Sequence, residues 1–254
     1  MEFRFGPHTV QLNLPDRDAL LSAVQERFRR GEGFALATIN LDHLVKLRAD
    51  PAFARAYAAH DLVMADGNPI VWLSRLAARP VELVPGSDMV EPVARLAARE
   101  GVRVALVGST DETLALAKAH LERIAPGLQV VLCEAPAMGF DPQGDEAGRI
   151  LERLRESGAG LCYLALGAPR QEIFAARGRA TVQGCGFVSI GAGLDFLAGH
   201  QKRAPVWMRR IAMEWLWRMA LSPARLVPRY AQCAAILPRE GARALALRRQ
   251  GRQG

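Results

Sequence analysis

Apolar residues come in short runs that alternate with helical stretches over the first 199 residues of the chain. The runs predict six strands, at 33–39, 61–65, 102–107, 128–133, 160–166 and 182–190. Apolar spacing, prolines and capping residues predict helices at 16–30, after 40, at 51–59, from 69, and at 87–100, 111–124, 145–156 and 169–178. Strands that alternate with helices are typical of an α/β fold with a mostly parallel sheet and helices on both faces.

The segment 200–254 differs from the rest of the chain in both pattern and charge. Two amphipathic helices are predicted there, at 205–221 and 223–249, with a break at Ser222-Pro223. The segment holds 12 Lys and Arg residues against two acids, a net charge of +10, whereas residues 1–199 carry 21 basic and 24 acidic residues, a net charge of −3. We therefore expect a core over 1–199 and a basic helical appendage over 200–254. Its charge suggests an anionic partner: a membrane surface, a pyrophosphate or a nucleic acid.

The composition excludes several classes of protein. Half of the 254 residues are hydrophobic and the formal net charge is +7, so a mostly disordered chain is excluded. The four cysteines lie 23 or more positions apart, which argues against a zinc ribbon or a disulfide scaffold and favours reduced thiols in the cytoplasm. The longest uncharged run, between Arg179 and Asp195, has 15 residues, short of the roughly 20 that span a bilayer. With no signal-like segment, the chain is expected to be soluble or peripheral.

Loops that follow the predicted strands should gather at the carboxyl edge of the sheet, where open α/β sheets bind their ligands. Four loops qualify, at 38–40, 66–68, 108–110 and 167–169, and a fifth, at 191–193, follows the last strand. In the second loop, Asp66 could serve as a general base or as the N-cap of a helix that begins near Pro69. In the first, Thr38 and Asn40 could face one ligand together or could simply cap the next helix.

The loop at 167–169 leads into a helix with Gln171 and Glu172 in its first turn. The N-terminus of a helix attracts phosphate, and the Gln171 amide could add hydrogen-bond donors for an oxygen-rich ligand. An ordinary loop between a strand and a helix is the competing interpretation. Asp16-Arg-Asp18 is the one Asp-x-Asp pair, and its place after a proline at a helix start indicates capping rather than metal binding.

Familiar signatures of other enzyme classes are missing. The sequence has no phosphate-binding P-loop, no serine-hydrolase elbow and no histidine pair spaced for zinc. A nicotinamide-dependent oxidoreductase stays as an alternative, but Gly191-Ala-Gly193 lacks the third glycine of the dinucleotide fingerprint. A basic nucleic-acid-binding protein is the second alternative. Tryptophan with arginine on an amphipathic helix is more typical of a membrane interface, so no nucleic-acid partner is expected.

A series of short motifs in one order carries a family resemblance over about residues 35–230. The motifs are Thr38-x-Asn40, Asp66-Gly67, Gly86-Ser-Asp88, Gly167-x-Pro-Arg-Gln-Glu172, Gly191-x-Gly-x-Asp195-Phe-x-x-Gly199, Arg203-Ala-Pro205, Glu214-Trp215-x-x-Arg218 and Pro223-x-Arg225-x-x-x-Arg229-Tyr230. Each motif is weak alone, but so many in this order are specific. The sequence closely resembles the WecG/TagA/CpsF family of bacterial glycosyltransferases.

The resemblance implies a Rossmann-like α/β core and an inverting, metal-independent transferase that needs no cofactor. It would move a sugar from a UDP-sugar to a polyprenyl-diphosphate-linked sugar at the cytoplasmic face of the membrane. Asp66 matches the family's proposed base, and Thr38 matches a polar residue near the reacting sugar. The donor side is expected to include Asn40, Gly67, Gly108, Gln171 and Asp195. The acceptor diphosphate and the membrane surface are assigned to Arg203, Arg218, Arg225 and Arg229.

One position departs from the family pattern. The segment before Gly86 usually reads Glu-Arg-Val, and an arginine there is thought to help hold the diphosphate, whereas this chain has Glu82-Leu83-Val84. Either an arginine of the appendage substitutes, or the donor pocket differs. UDP-N-acetylmannosamine and UDP-glucose both stay open as donors, and a homo-oligomer is also left open. Within the core, residues 1–100 are expected to form the acceptor and catalytic half and 101–199 the nucleotide-sugar half.

Overall fold

The computed structural model describes residues 1–200, 204–205, 207–208 and 213–250. The strands are β1 (Glu2–Phe5), β2 (His8–Gln11), β3 (Phe34–Ile39), β4 (Leu62–Ala65), β5 (Val104–Gly108), β6 (Val130–Glu134), β7 (Leu161–Ala165) and β8 (Gly186–Ser189). The core helices are α1 (Arg17–Arg30), α2 (Leu41–Ala49), α3 (Pro51–Ala58), α4 (Asn68–Leu76), α5 (Gly86–Arg99), α6 (Asp111–Ile124), α7 (Asp145–Ser157), α8 (Arg170–Thr181) and α9 (Gly193–Leu197). The appendage contains α10 (Glu214–Leu221) and α11 (Pro223–Gln250).

Six strands form one parallel sheet in the order β4-β3-β8-β7-β5-β6. Because every strand runs the same way, the loops after β3, β4, β5, β7 and β8 all meet at its carboxyl edge. The strands β3 and β4 of the first half lie on one side of the central strand β8, and β5, β6 and β7 of the second half lie on the other. The sequence-based prediction of a parallel α/β sheet is confirmed.

Helices cover both faces of this sheet, as predicted. On one face, Leu36 and Val188 pack with Leu20 of α1 and Val90 of α5. On the other face, Ile39 packs with residues of α2, α3 and α4, and beside them Phe187 packs with residues of α7 and α8. The central strand residues are fully buried on both sides, which explains why they read as continuous apolar runs rather than as an alternation.

The antiparallel hairpin of β1 and β2 was not predicted from the sequence. It pairs Phe3 with Val10 and Phe5 with His8. Phe3, Phe5 and Val10 are buried in the cluster that also contains Ile39. The prediction for the last strand was too long at its start, because α8 continues to Thr181 with Val182 as its C-cap, and Gly184 turns the chain at φ +81° before β8 begins.

The appendage is only partly as predicted. The single helix expected over 205–221 is wrong as a continuous element: Trp207 and Met208 are helical, but Pro205 and Met213 lie outside helices, and α10 begins at Glu214. The expected second helix is present as α11, which packs against α2 and α4 through buried residues such as Cys233 and Ala244. The almost fully buried Glu240 forms an ion pair with Arg48 of α2. In the described part of the chain, no helix is both long and apolar enough to cross a bilayer.

Candidate active site

Two polar side chains meet where the neighbouring strands β3 and β4 end. The Thr38 hydroxyl donates a hydrogen bond to Oδ2 of Asp66 over 3.3 Å. The backbone brings them together, because Ile39 pairs with Ala65 and the Asp66 amide donates to the Ile39 carbonyl over 2.8 Å. Thr38 is buried, whereas Asp66 is partly exposed. The two residues expected to be catalytic therefore form one pair at the carboxyl edge of the sheet.

Asp66 is not the helix cap that the sequence left open. The cap of α4 is Gly67, which has a φ of +129° and makes no side-chain capping bond. A non-glycine residue would be strained at this φ, so the glycine permits the sharp turn that directs the chain from β4 into α4. Asp66 lies one residue before this cap, and its Oδ2 accepts the Thr38 hydroxyl.

Asn40, by contrast, does act as a cap. Its Oδ1 accepts a hydrogen bond from the amide of His43 over 3.0 Å at the start of α2. It also lies beside Gly67, where an added β-carbon would be 3.5 Å from its own. Asn40 is therefore at the expected edge, and a role in the donor pocket would use its amide nitrogen rather than the capping oxygen.

The first turn of α5 lies directly over the ends of β3 and β8, and its role was missed by the sequence analysis. A β-carbon on Gly86 would lie 3.0 Å from Cγ2 of Thr38 and 3.2 Å from the Ser189 carbonyl oxygen. A β-carbon here would press against Thr38 and the backbone of β8, so glycine favours this close approach of the helix. The N-terminus of α5, which has no side-chain cap and carries Asp88 in its first turn, therefore lies next to the Thr38–Asp66 pair. The signal in the sequence was the Gly-Ser-Asp motif, which the family resemblance included without a role.

On the second half of the sheet, the loop after β5 joins the loop that follows β8. The Ser109 hydroxyl donates to Oδ1 of Asp195 over 2.7 Å, and the Ser109 amide donates to the Ala165 carbonyl over 3.2 Å. Gly108 precedes this residue with a φ of +118°, and an added β-carbon would lie 2.4 Å from the Ala165 oxygen. Gly108 and Asp195, which were both expected on the donor side, are thus brought to one place.

Gln171 holds two loops together instead of offering its whole amide to a ligand. It is buried on the first turn of α8, its Nε2 donates to Oε1 of Glu172 over 2.7 Å, and its Oε1 accepts from the Gly191 amide over 3.2 Å. The loop before α8 is therefore fastened to the loop after β8. Bracing of this kind is a role that spacing alone did not indicate.

Glu172 belongs to a buried polar cluster beneath the edge. It is fully buried, and its Oε2 makes no hydrogen bond within the described residues. Burial raises the pKa of this carboxyl to about 7. Burial and the nearby Glu172 and Asp66 raise the pKa of Tyr57, whose hydroxyl donates to the Thr38 carbonyl over 2.6 Å. The cluster holds the end of β3 in place from below.

The raised pKa of Glu172 predicts a specific dependence of stability on pH. The folded protein keeps a proton on this group between its ordinary pKa of 4.5 and about 7, so its contribution to the free energy of unfolding is fully present below 4.5 and is lost as the pH rises through about 7. The loss amounts to roughly 3 kcal/mol at about 1.4 kcal/mol per pKa unit. Urea unfolding of the wild type and of Glu172→Gln from pH 5 to pH 8 measures it as the difference between the two proteins.

The two proteins must be compared because buried histidines also make the stability depend on pH. Burial lowers the pKa of His43 and of His60 to about 4, so their contributions are lost as the pH falls below about 6.5 and oppose that of Glu172. They are present in both proteins and cancel. A constant difference between wild type and variant across the pH range would contradict the assignment to Glu172.

Of the four arginines expected to bind the acceptor diphosphate, the structure describes the side chain of Arg229. Arg203 lies outside the described residues, and Arg218 and Arg225 lie in α10 and α11 with side chains that are also outside them. Arg229 is described: its Nη2 lies 2.8 Å from Oδ2 of Asp42, the second residue of α2. Arg229 thus contacts the core beside the carboxyl edge. This contact was not part of the role in diphosphate binding that the resemblance implied.

Leu83, at the position where the resemblance leads one to expect an arginine, lies next to a residue that contacts the end of β4. It is 40% exposed, and the next residue, Val84, donates its amide to the Ala65 carbonyl over 2.9 Å. The backbone of this segment is therefore attached to the last residue of β4, directly before Asp66.

The described residues contain no group of three His, Cys, Asp or Glu side chains placed to hold a metal ion. Asp16 accepts the Ala19 amide over 2.8 Å and caps α1, so the capping interpretation of Asp16-Arg-Asp18 is confirmed.

The sequence was also compared with known protein families. The sequence model described as "Glycosyl transferase WecG/TagA/CpsF family" matches residues 8–251. The matched range includes the loops of the carboxyl edge and the helices α10 and α11.

Proposed function

Because the chain belongs to the WecG/TagA/CpsF family of glycosyl transferases, which act in surface polysaccharide synthesis, we propose that it moves a sugar from a UDP-sugar to a polyprenyl-diphosphate-linked sugar. The reaction inverts the anomeric carbon and uses no metal. The observation that carries this proposal is the hydrogen-bonded pair of Thr38 and Asp66 at the carboxyl edge of the sheet. It supplies a carboxylate base where an α/β sheet binds its ligands.

The chemistry is a single displacement. The carboxylate of Asp66 takes the proton of an acceptor hydroxyl, the hydroxyl oxygen bonds to the anomeric carbon, and the bond between that carbon and the diphosphate oxygen breaks. UDP leaves with the electron pair from the face opposite the attacking oxygen. The Thr38 hydroxyl donates to one oxygen of Asp66 and so orients the carboxylate toward the acceptor.

The negative charge that develops on the leaving diphosphate needs stabilisation. The helices α6 and α8, with 14 and 12 residues, both begin at the carboxyl edge, directly after the loops of Gly108 and Gly167. Their N-terminal amides and dipoles favour an anion there, in the role that a metal ion has in other transferases. Asn40, Gly67, Gln171 and Asp195 would shape the rest of the donor pocket.

The appendage would serve the acceptor. Guanidinium groups match phosphate oxygens, so Arg203, Arg218 and Arg225 would hold the acceptor diphosphate. The contact of Arg229 with Asp42 supports this arrangement, because it brings the start of α11 to the same end of the molecule as the catalytic pair. The exposed side chains of Trp207 and Trp215 suit the headgroup region of an anionic membrane at the cytoplasmic face.

The direct test is a panel of UDP-sugars with a short-chain polyprenyl-diphosphate-sugar acceptor, read out as product formed and UDP released. Transfer from one donor, with equal amounts of product and UDP, is expected. Presenting the same acceptor in anionic and in neutral vesicles tests the membrane surface. Release of UDP without a glycosylated product would contradict transfer to a lipid-linked acceptor.

Removal of metal ions should leave the activity unchanged. The described residues contain no cluster of side chains that could hold a metal ion against the diphosphate, and Asp16 caps α1. The rate of transfer in excess EDTA is therefore expected to equal the rate without it. Loss of activity in EDTA that Mg²⁺ or Mn²⁺ restores would show that the leaving group is stabilised by a metal.

A further inference from the structure

A chain of polar contacts runs from the appendage helix α11 to the donor side of the site. Arg229 contacts Oδ2 of Asp42 at 2.8 Å, and Nζ of Lys46 lies 2.9 Å from that same oxygen. Lys46 also donates to the carbonyl oxygen of Ala168 over 3.2 Å. Two side chains of α2 thus connect α11 with the loop 167–169, although α11 and this loop are separated along the sequence by more than 50 residues.

The middle of this chain is shielded from water. Asp42 is 8% exposed, and its carboxylate lies between two cations, Lys46 and Arg229. Burying one carboxylate is costly unless cations compensate it, and each cation also limits where the other can lie. If Arg229 withdraws, Asp42 is left with one partner, and Lys46 is drawn toward the carboxylate and away from the Ala168 carbonyl.

The loop that Lys46 contacts leads directly into the residues that brace the donor side. Gln171 follows it, bonds to Glu172 and accepts the amide of Gly191. A carbonyl held at Ala168 therefore restrains the loop before α8 and, through Gln171, the loop after β8. The position of Lys46 is transmitted to both loops through these hydrogen bonds.

We propose that Lys46 is a positioning residue that couples the docking of α11 to the shape of the donor-side loop 167–169. The inference rests on the proposed function in one respect, because it takes this loop to be part of the UDP-sugar pocket. Docking of the appendage shapes the donor pocket, and by reciprocity a bound donor strengthens the docking of the appendage. Acceptor recognition by the appendage and donor recognition by the core are then linked.

Hydrogen–deuterium exchange of the ligand-free protein tests the link without any substrate. Exchange of the backbone amides in 167–173 is compared in wild type, Lys46→Met, Arg229→Gln and the double variant. Both single variants should increase exchange about 5–10-fold in this segment, even though Arg229 is not in contact with it. The double variant should exchange no faster than Lys46→Met, because the chain of contacts is already broken. Arg249→Gln, an exposed arginine at the far end of α11, is the matched control and should leave exchange unchanged.

Calorimetric titration with UDP adds the functional consequence. Lys46→Met and Arg229→Gln should each weaken UDP binding about 5–10-fold, with the effects not multiplying in the double variant, and Lys46→Arg should restore most of the loss. Unchanged exchange in Arg229→Gln, or effects that multiply in the double variant, would overturn the coupling. If the wild type binds no UDP, the proposed function fails, whereas the exchange measurement still decides the role of Lys46.

The ion pair of Arg48 with Glu240, which also joins α2 to α11, is unchanged in every variant.

Discussion

Asp66→Asn is expected to lower the turnover number of the transferase by about 10²–10⁴-fold, the range associated with loss of a general base. Asparagine keeps the size of the side chain and can still accept the hydrogen bond from Thr38, but its amide cannot take the acceptor proton. UDP affinity should change little, because the base acts on the acceptor. Steady-state kinetics with saturating donor, together with a titration of UDP binding, separates these two quantities.

Thr38→Val is the matched variant for this pair. It keeps the branched shape that packs under Gly86 and removes only the hydroxyl that orients Asp66. A smaller loss of turnover, about 10-fold, is expected, since the base itself remains. Near-normal turnover in correctly folded Asp66→Asn would mean that the acceptor proton leaves by another route, and the pair would then have a structural role.

Gly108→Ala should be the most damaging single-methyl change at the edge of the sheet, with a loss of about 2–6 kcal/mol in the free energy of unfolding. Two costs combine there. A φ of +118° is strained for a side-chain-bearing residue, at about 1–3 kcal/mol. The new methyl group would also lie 2.4 Å from the Ala165 carbonyl oxygen, and such overpacking costs typically 1–3 kcal/mol. Urea unfolding measures the sum.

Gly139→Ala separates the two costs. This glycine has a φ of +86°, but an added β-carbon would meet open space, so only the backbone strain remains. A loss of about 1 kcal/mol is expected. Equal losses in the two variants would show that the approach of β5 to Ala165 is not tight. Because Ser109 follows Gly108 and bonds Asp195, the donor KM should rise in Gly108→Ala and not in Gly139→Ala.

Most of the fold could be predicted because the strands carry their own signal. The apolar runs at β3, β5 and β7 are buried on both faces and bounded by glycine, proline or caps. Their identity as strands and their order can therefore be predicted from the local sequence. The hairpin of β1 and β2 was missed because its few apolar residues become a strand only when Phe3 and Phe5 pack against α2 and α3. The helix expected over 205–221 failed at Met213 for the related reason that amphipathic spacing permits a helix without requiring one.

The candidate site divides in the same way. Position along the chain was enough to place Thr38, Asn40 and Asp66 at strand ends, but it could not distinguish a cap from a base. The choice of capping residue depends on the turn at Gly67 and on the pairing of β3 with β4. In the structure Asn40 caps α2, whereas Asp66 accepts a hydrogen bond from Thr38.

The sequence by itself determined the parallel α/β class, the loops that meet at one edge, the sign change of the charge near Gly199 and the family to which the motifs belong, because all of these depend on residue type and order alone. Only the tertiary structure decided that Gln171 braces two loops, that Gly86 brings α5 onto Thr38 and that Arg229 reaches Asp42. These contacts join residues far apart in the chain, and their energies depend on distance and burial, which no local pattern encodes.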